Sequence, residues 1–241
     1  MSEVIRVFVG ASEAQAVPAL VLRESIVQNA TQPVDVTMLW QVPIKIPKPK
    51  DPKNRPRTPF SFQRFAIPQL CGYHGRAIYL DSDMLVLDDI SKLWRMDMGD
   101  ASVLATDVEH SARNAVLLID CERARWNLGA IVERIDSGDV AYRGLMEDFD
   151  GLGPISRTIP ARWNRLDEFV PVHGNSLLHF TDMRRQPWLH AGHPLESIWL
   201  KALRAARSLD TPACDFDAIL ARAERLGHVR PGLAVLASAL P

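Results

Sequence analysis

Short apolar runs recur through the first half of the chain. Residues 4–9 are β-branched or apolar apart from Arg6, and Gly10 ends the run. Similar runs lie at 34–39, 76–80, 101–106 and 114–119. Runs of this length and composition are typical of buried strands, so we predict a strand at each of these places.

Apolar residues at helical spacing follow several of these runs. A helix is expected after Ser12, with its regular part starting near Pro18, because proline is tolerated in the first turn. Two more helices are expected over residues 60–70 and 122–135. The clearest helical stripe comprises Leu195, Ile198, Trp199, Ala202, Leu203 and Ala206. Strands alternating with helices over 241 residues indicate an α/β protein, and we expect a single domain.

The composition excludes several classes of protein. With 47% hydrophobic and 24% charged residues and a net charge of -1, the whole chain has no electrostatic reason to bind nucleic acid. Cys71, Cys121 and Cys214 are too far apart to indicate a disulfide framework and fit a reducing compartment. No run approaches the ~20 apolar residues of a membrane span, and the first residues lack the regions of a signal peptide. We therefore expect a cytoplasmic protein without a membrane span.

Two carboxylates interrupt the apolar pattern after residue 80. Asp81 and Asp83 follow a buried run, and residues 84–87 continue it. Residues i and i+2 of an extended chain project to the same side, so both carboxylates can bind one cation. Oxygen ligands favour Mg²⁺ or Mn²⁺, which can take further ligands from a substrate pyrophosphate. On these residues alone, a strand end capped by a turn aspartate is an equally good interpretation.

Two neighbouring features have structural interpretations as well. Asp88 and Asp89 precede a short helical turn at 90–94, where an aspartate caps the helix, and both are expected to be structural. Residues 45–57 hold six basic side chains opposed only by Asp51, in a stretch rich in proline. This segment is predicted to be a loop, either a solvated connector or a flap beside an anionic ligand.

The stretch from Thr58 to Trp94 resembles the donor-binding core of glycosyltransferases of the GT-A fold, most closely family 8 and its bacterial relatives. It contains, in the order typical of that family, Arg64, a hydrophobic strand, the D-x-D motif and the turn Asp89-Ile90-Ser91-Lys92-Leu93-Trp94. Further matches lie at 5–12, 21–26, 159–164, 177–181 and 186–188. The ordered set covers roughly residues 4 to 190 and is far more specific than any one of its members.

This resemblance implies a single GT-A domain with a mixed, mostly parallel sheet flanked by helices. Residues 1 to about 120 would form the nucleotide-binding half, and residues from about 121 to 241 the acceptor side and the C-terminal helices. The implied activity is retaining transfer of a sugar from a nucleotide diphosphate donor, with UDP-hexose favoured, as in polysaccharide biosynthesis. The expected acceptor is a carbohydrate or a lipid-linked molecule.

The resemblance also implies a metal site. His179 would join Asp81 and Asp83 as a ligand, and an imidazole ligand favours Mn²⁺ over Mg²⁺. Without the resemblance, a satisfied histidine beside a strand is the better interpretation of His179. Its place ahead of the Pro187-Trp188 pair reverses that preference.

Donor contacts are expected at two places. Arg64 and Ser82 are implied by the resemblance. Residues Gly10, Ala11 and Ser12 follow the first strand, where ligands of open α/β sheets bind, and are expected to line the base or ribose.

The chain departs from the family pattern between His179 and Pro187. The family commonly has a glycine and a phosphate-binding lysine there, whereas this segment is one residue longer and has no lysine. Arg184 or Arg185 is expected to substitute, because a guanidinium can bind a phosphate with two parallel hydrogen bonds.

The acidic sugar-binding motif of the family also has no single match in this chain. Asp148 is selected as a catalytic candidate from Glu147, Asp148 and Asp150, and Asn114 is selected from a segment where the family tends to have Asn-Ala-Gly. For Asn114 and Asp148, structural roles at a strand entry and a helix end are equally good interpretations.

Other interpretations stay open at this point. A haloacid-dehalogenase-type phosphatase also has D-x-D after a buried strand, but it has Thr or Val where Leu85 stands here. A non-catalytic nucleotide-sugar-binding protein of the same fold is the second alternative. Trp163 and Trp188 are expected to pack in the core. The apolar tail at 233–240 is expected to be a final helix, with contact to a membrane surface as the other option.

Overall fold

The computed structural model describes residues 3–56, 58–107, 111–166, 174–208 and 215–239. The strands are β1 (Ile5–Gly10), β2 (Val34–Met38), β3 (Arg76–Asp81), β4 (Met84–Val86), β5 (Val103–Thr106), β6 (Val116–Asp120), β7 (Ile155–Ile159), β8 (Arg165–Leu166) and β9 (Leu177–His179). The helices are α1 (Ala16–Asn29), α2 (Pro59–Gln63), α3 (Ile67–Leu70), α4 (Ser91–Trp94), α5 (Cys121–Ala124), α6 (Leu128–Ser137), α7 (Tyr142–Asp148), α8 (Glu196–Ser208), α9 (Phe216–Arg225) and α10 (Leu233–Ser238).

The chain forms two compact units that interleave along the sequence. The first comprises the residues up to Ser12, Gln32–Asp81 and Ser91–Ala161, and the second comprises Glu13–Thr31, Ser82–Ile90 and the residues from Arg162 onward. This division does not follow a boundary near residue 120. The assignment of nucleotide and acceptor roles to the two halves of the sequence stays a prediction.

The first unit is built on a six-stranded sheet with the strand order β2-β1-β3-β6-β5-β7. Five strands run in one direction and β6 is antiparallel to them. The prediction of a mixed, mostly parallel sheet is confirmed. Because β1 and β3 are parallel neighbours, their carboxyl ends meet at one edge, where Gly10 pairs with Asp81.

One face of this sheet belongs to a large apolar cluster of the first unit. Helices α2, α3, α5, α6 and α7 contribute apolar side chains to a cluster with β1, β3, β5 and β6. Phe65 lies among three aromatic rings at edge-to-face angles, those of Phe62, Trp126 and Phe149, with centroids 5.6 to 6.1 Å apart. Such pairs stabilise the cluster beyond the area that they bury.

In its described residues, the second unit contains the three-stranded sheet β4-β9-β8 and four helices. Helix α1 packs on β4, α8 and α9, and α10 packs on α8. Trp188 lies between Phe180 and Trp199, with ring centroids 5.9 and 5.4 Å away. Trp163 is also buried, so the expectation that Trp163 and Trp188 pack in the core is confirmed.

Most predicted elements are present within a few residues of their expected bounds. The runs at 4–9, 34–39 and 76–80 are β1, β2 and β3, and the stripe from Leu195 is α8. In α1, Pro18 lies in the first turn as expected. The apolar tail forms α10, while Leu240 lies outside the described residues. Among the helices of the described segments, none is long and apolar enough to cross a bilayer.

Two predicted helices are interrupted. The helix expected over 60–70 is divided into α2, a 3-10 turn and α3, because Pro68 has no N–H and its ring clashes with the preceding turn. The helix expected over 122–135 is divided into α5 and α6. Arg125 has a φ of 35° and ends α5, and Asn127 caps α6 by accepting a hydrogen bond from the Ala130 N–H.

A close approach between β1 and β3 requires a glycine at position 10. A Cβ atom built on Gly10 would lie 2.2 Å from the Tyr79 hydroxyl oxygen and 2.8 Å from two ring carbons. Tyr79 is fully buried in the sheet core, so its ring has little room to move. Gly10 therefore makes space for the Tyr79 side chain.

Replacing Gly10 tests this packing. Gly10→Ala should lower the free energy of unfolding by about 1–3 kcal/mol, because an extra methyl group in a full core forces neighbouring atoms apart. Denaturant unfolding measures the change. In the background of Tyr79→Phe, which removes the closest atom, the same substitution should cost less. An equal cost in both backgrounds would show that the hydroxyl group is not what Gly10 accommodates.

Candidate metal and donor site

The antiparallel pairing of β4 with β9 brings His179 next to Asp83. His179 ends β9 and pairs with Met84, and the Phe180 N–H donates to the Asp83 carbonyl at 2.8 Å. The His179 side chain is 3% exposed, and its Nε2 lies 3.1 Å from Asp83 Oδ1. Two residues 96 positions apart in the sequence are thus held in contact by a short strand ladder.

Asp81 completes a group of three possible metal ligands. Asp81, Asp83 and His179 each offer one ligand atom, and these atoms lie within 4.8 Å of one another. Two carboxylates and one imidazole suit a divalent transition metal such as Mn²⁺ better than Mg²⁺, which prefers oxygen ligands only. The chemistry of the donor set therefore fits the predicted cation, and the structure brings the three predicted ligands together.

Buried side-chain amides hold two of these candidate ligands, His179 and Asp83, in position. Asn164 Oδ1 lies 2.8 Å from His179 Nδ1. The Gln186 side-chain amide donates to the Phe180 carbonyl at 2.7 Å and lies 3.4 Å from Asp83 Oδ2. Sequence reasoning did not assign a role to Asn164 or Gln186. The available signal was position, because Asn164 ends the matched run 159–164 and Gln186 directly precedes Pro187-Trp188.

Tyr79 holds the third candidate ligand, Asp81, in position and also contacts Arg64. The Tyr79 hydroxyl donates to Asp81 Oδ1 at 2.6 Å. The guanidinium carbon of Arg64 lies 5.5 Å from the Tyr79 ring centroid, within the range of a cation–π contact. Arg64 also donates to the carbonyls of Ser61 and Asn114, both at 3.0 Å. These contacts fix Arg64 in the first unit, and its contact with a donor stays a prediction.

Of the residues predicted to contact the donor, Gly10 adjoins a candidate metal ligand in the sheet, and Ser82 adjoins two of them in the chain. Gly10 pairs with Asp81, Ala11 is buried, and Ser12 is half-buried. The Ser82 hydroxyl is buried and has no hydrogen-bond partner among the described residues. Because buried polar groups are nearly always satisfied, an orphaned hydroxyl between two candidate ligands is consistent with a donor contact.

Asn114 and Asp148 converge on Arg157, an arginine that sequence reasoning missed. Arg157 donates to Asn114 Oδ1 at 3.1 Å and to the Glu147 carbonyl at 2.9 Å, and its guanidinium lies 3.8 Å from the Asp148 carboxylate. The Asn114 amide donates to the carbonyls of Met146 and Glu147, both at 2.9 Å. Asn114 lies in a 3-10 turn before β6 and not in the strand, because its side chain caps the end of α7. The catalytic roles of Asn114 and Asp148 stay predictions.

Arg184 and Arg185 lie exposed in the turn that follows β9. The Arg184 guanidinium is 3.2 Å from the Asp182 carboxylate. Hydrogen bonds from the backbone N–H and the side chain of Arg184 hold the pKa of the Asp182 carboxyl below its usual value. Asp182 therefore stays ionised and partly balances the charge of Arg184, which makes the two arginines unequal.

Neighbouring charged segments have mainly structural contacts. Asp88 accepts from the Ser176 hydroxyl and Asp89 accepts from the Thr31 hydroxyl, as expected for structural carboxylates. The basic loop is attached to the first unit, since Ile44 and Ile46 pack against its core and the Lys50 N–H donates to Asp136. Arg57, its last predicted basic residue, lies outside the described residues.

Known proteins provide an independent comparison. A sequence profile of glycosyl transferase family 8 matches residues 10–136, more than half of the chain. Protein CDI of Arabidopsis thaliana is 24% identical over 230 residues, which covers 82% of this chain and 85% of that protein.

Solved glycosyltransferases have a similar fold. The apo form of GlyE from Streptococcus pneumoniae TIGR4 has a TM-score of 0.60 at 15% identity, over 95% of this chain and 65% of GlyE, so this chain spans slightly less than two thirds of that protein. The galactosyltransferase LgtC, solved with donor and acceptor sugar analogs, has a TM-score of 0.57 at 14% identity, over 89% of this chain and all of LgtC.

The two kinds of comparison agree. At such low identities the solved structures show the fold alone, and that fold is the predicted GT-A type. The profile match leaves the phosphatase interpretation without support and shows that this chain belongs to glycosyl transferase family 8.

Proposed function

We propose that this glycosyltransferase uses a divalent cation, Mn²⁺ in preference to Mg²⁺, to transfer a hexose from a nucleotide diphosphate donor to a carbohydrate or lipid-linked acceptor. The observation that carries the proposal is the convergence of the Asp81, Asp83 and His179 ligand atoms within 4.8 Å of one another. UDP-hexose is the favoured donor, and the transfer proceeds with retention of anomeric configuration. LgtC, by its name a galactosyltransferase, supports the hexose.

Different side chains would bind different parts of the donor. Asp81, Asp83 and His179 would hold the cation, and the bound cation supplies positive charge that stabilises the departing diphosphate. The Ser82 hydroxyl, which lacks a hydrogen-bond partner among the described residues, would donate to or accept from the donor's ribose. A diphosphate with one divalent cation remains anionic, so positive side chains nearby would lower its energy further.

The experiment that tests this function separates an enzyme from a non-catalytic binder. Nucleotide sugars are screened by thermal shift with and without Mn²⁺, and the best donor is then followed for release of free nucleoside diphosphate. NMR of the first-formed product from an α-linked donor gives the anomeric configuration, and we expect an α-linked product. Donor binding without turnover, with any acceptor or water, would favour the non-catalytic alternative. A β-linked product would contradict retention.

Removal of one carboxylate tests the metal site. Asp83→Ala should lower turnover by at least about 100-fold, because losing a metal ligand removes several kcal/mol of charge stabilisation in the transition state. Mn²⁺ binding, followed by electron paramagnetic resonance, should weaken in parallel, while the melting temperature changes little. Asp139→Ala removes an exposed carboxylate of the first unit and is the matched control. Full turnover of Asp83→Ala, or of the wild type in excess EDTA, would refute the metal assignment.

The two arginines after β9 are expected to bind the donor phosphates. The variant Arg184→Ala/Arg185→Ala should bind nucleoside diphosphate with Mn²⁺ at least about tenfold more weakly, about 1.4 kcal/mol. Arg185→Ala should account for more of this loss than Arg184→Ala, because Asp182 already balances Arg184. Arg222→Ala, at an exposed arginine that pairs with Glu13, is the control. Unchanged affinity of the double variant would return the phosphate role to Arg64 or to the basic loop.

A further inference from the structure

The orientation of an imidazole ligand depends on what its second nitrogen binds. A metal needs an unprotonated nitrogen, and a hydrogen-bond acceptor at the other nitrogen favours the tautomer that leaves it so. In His179 the nitrogen that faces Asp83 is Nε2. The partner of Nδ1 therefore decides how well the ring is prepared to bind a cation.

That partner is the side chain of Asn164. Its Oδ1 lies 2.8 Å from Nδ1, and the residue is 1% exposed. An amide oxygen accepts hydrogen bonds only, so this contact uses the N–H form of Nδ1. In the neutral ring with this tautomer, Nε2 has the lone pair that would bind a metal, and this nitrogen faces Asp83. A cation would then take the place of the proton that the metal-free contact with Asp83 uses.

The backbone around Asn164 holds the amide in place. Trp163 is buried directly before it, and β8 begins directly after it at Arg165. In β8, Leu166 pairs with His179 itself, so the Asn164 and His179 backbones are fixed by the same parallel ladder. The Ser176 N–H donates to the Arg162 carbonyl at 2.9 Å and closes the other side of this turn. The contact is thus built by strand register and not by a mobile side chain.

We infer that Asn164 is a positioning residue that holds His179 in the tautomer and ring orientation needed to bind the catalytic cation. This inference rests on the proposed metal-dependent function. It assigns Asn164 to metal affinity and not to contact with donor or acceptor. Partners of this kind typically contribute 10- to 100-fold to metal affinity.

The test measures metal affinity directly. Mn²⁺ binding to the full chain is titrated by electron paramagnetic resonance for the wild type, Asn164→Leu and Asn164→Asp. Leucine has a similar volume but accepts no hydrogen bond, so Asn164→Leu should bind Mn²⁺ at least tenfold more weakly. Aspartate restores an acceptor oxygen, so Asn164→Asp should stay within about threefold of the wild type. Should Asn164→Leu not give folded protein, Asn164→Ser, whose hydroxyl is too short to reach Nδ1, takes its place.

A matched control separates this role from packing. Asn175 is also a buried asparagine of the second unit, and its Oδ1 accepts from Arg165 Nε at 3.2 Å. Asn175→Leu should lower the melting temperature without weakening Mn²⁺ binding. Wild-type affinity of Asn164→Leu, or equal weakening by leucine and aspartate at position 164, would overturn the inference. Failure of the wild type to bind Mn²⁺ would instead overturn the proposed function.

Discussion

Two carboxylates and an imidazole held within a few ångströms of each other are the arrangement on which the candidate site depends. Like charges at this distance raise each other's energy, and partial burial adds the cost of lost hydration. Asp81 accepts a hydrogen bond from Tyr79, and Asp83 lies against His179 and Gln186. These contacts lower the cost of keeping two anions in place, while a cation bound between them would remove the repulsion itself.

The sheet supplies the rigidity that this arrangement needs. Asp81 ends a strand whose preceding residues, Ala77 to Leu80, are fully buried. The Asp81 backbone therefore cannot shift without disturbing the packing of the core. The Tyr79 hydroxyl reaches Asp81 because residues i and i+2 of a strand face the same way. Gly10 on the adjacent strand leaves room for that hydroxyl. A position expected to line the nucleoside therefore also has a packing role, and substitution there would affect both.

The sequence was sufficient for local features and insufficient for contacts between distant segments. The alternation of buried runs and helical stripes identified β1, β2, β3 and α8, and the spacing of Asp81 and Asp83 identified a possible cation site. The spacing of apolar residues continues past Pro68 and Arg125, so it predicts one helix at each place. The helical backbone is interrupted there, which the spacing does not show. His179 came only from the family resemblance, because the β4–β9 pairing that brings it to Asp83 depends on register. Asn164 and Gln186 are distinguished only by their places in the matched runs, and Arg157 has no local pattern that distinguishes it from other polar residues.

Gln186 shows how the departure from the family pattern changes the electrostatics of the site. The segment between His179 and Pro187, where the family commonly has a lysine, has none here, and Gln186, the residue directly before Pro187-Trp188, has a buried amide that lies against Asp83 Oδ2. A lysine ammonium at that distance would pair with the carboxylate and compete with a cation for it. A neutral amide orients Asp83 and leaves its charge available to a cation, should one bind there. The absence of a lysine also removes a positive charge that the family resemblance assigns to the donor phosphates, and Arg184 and Arg185 of the same segment are the side chains expected to replace it.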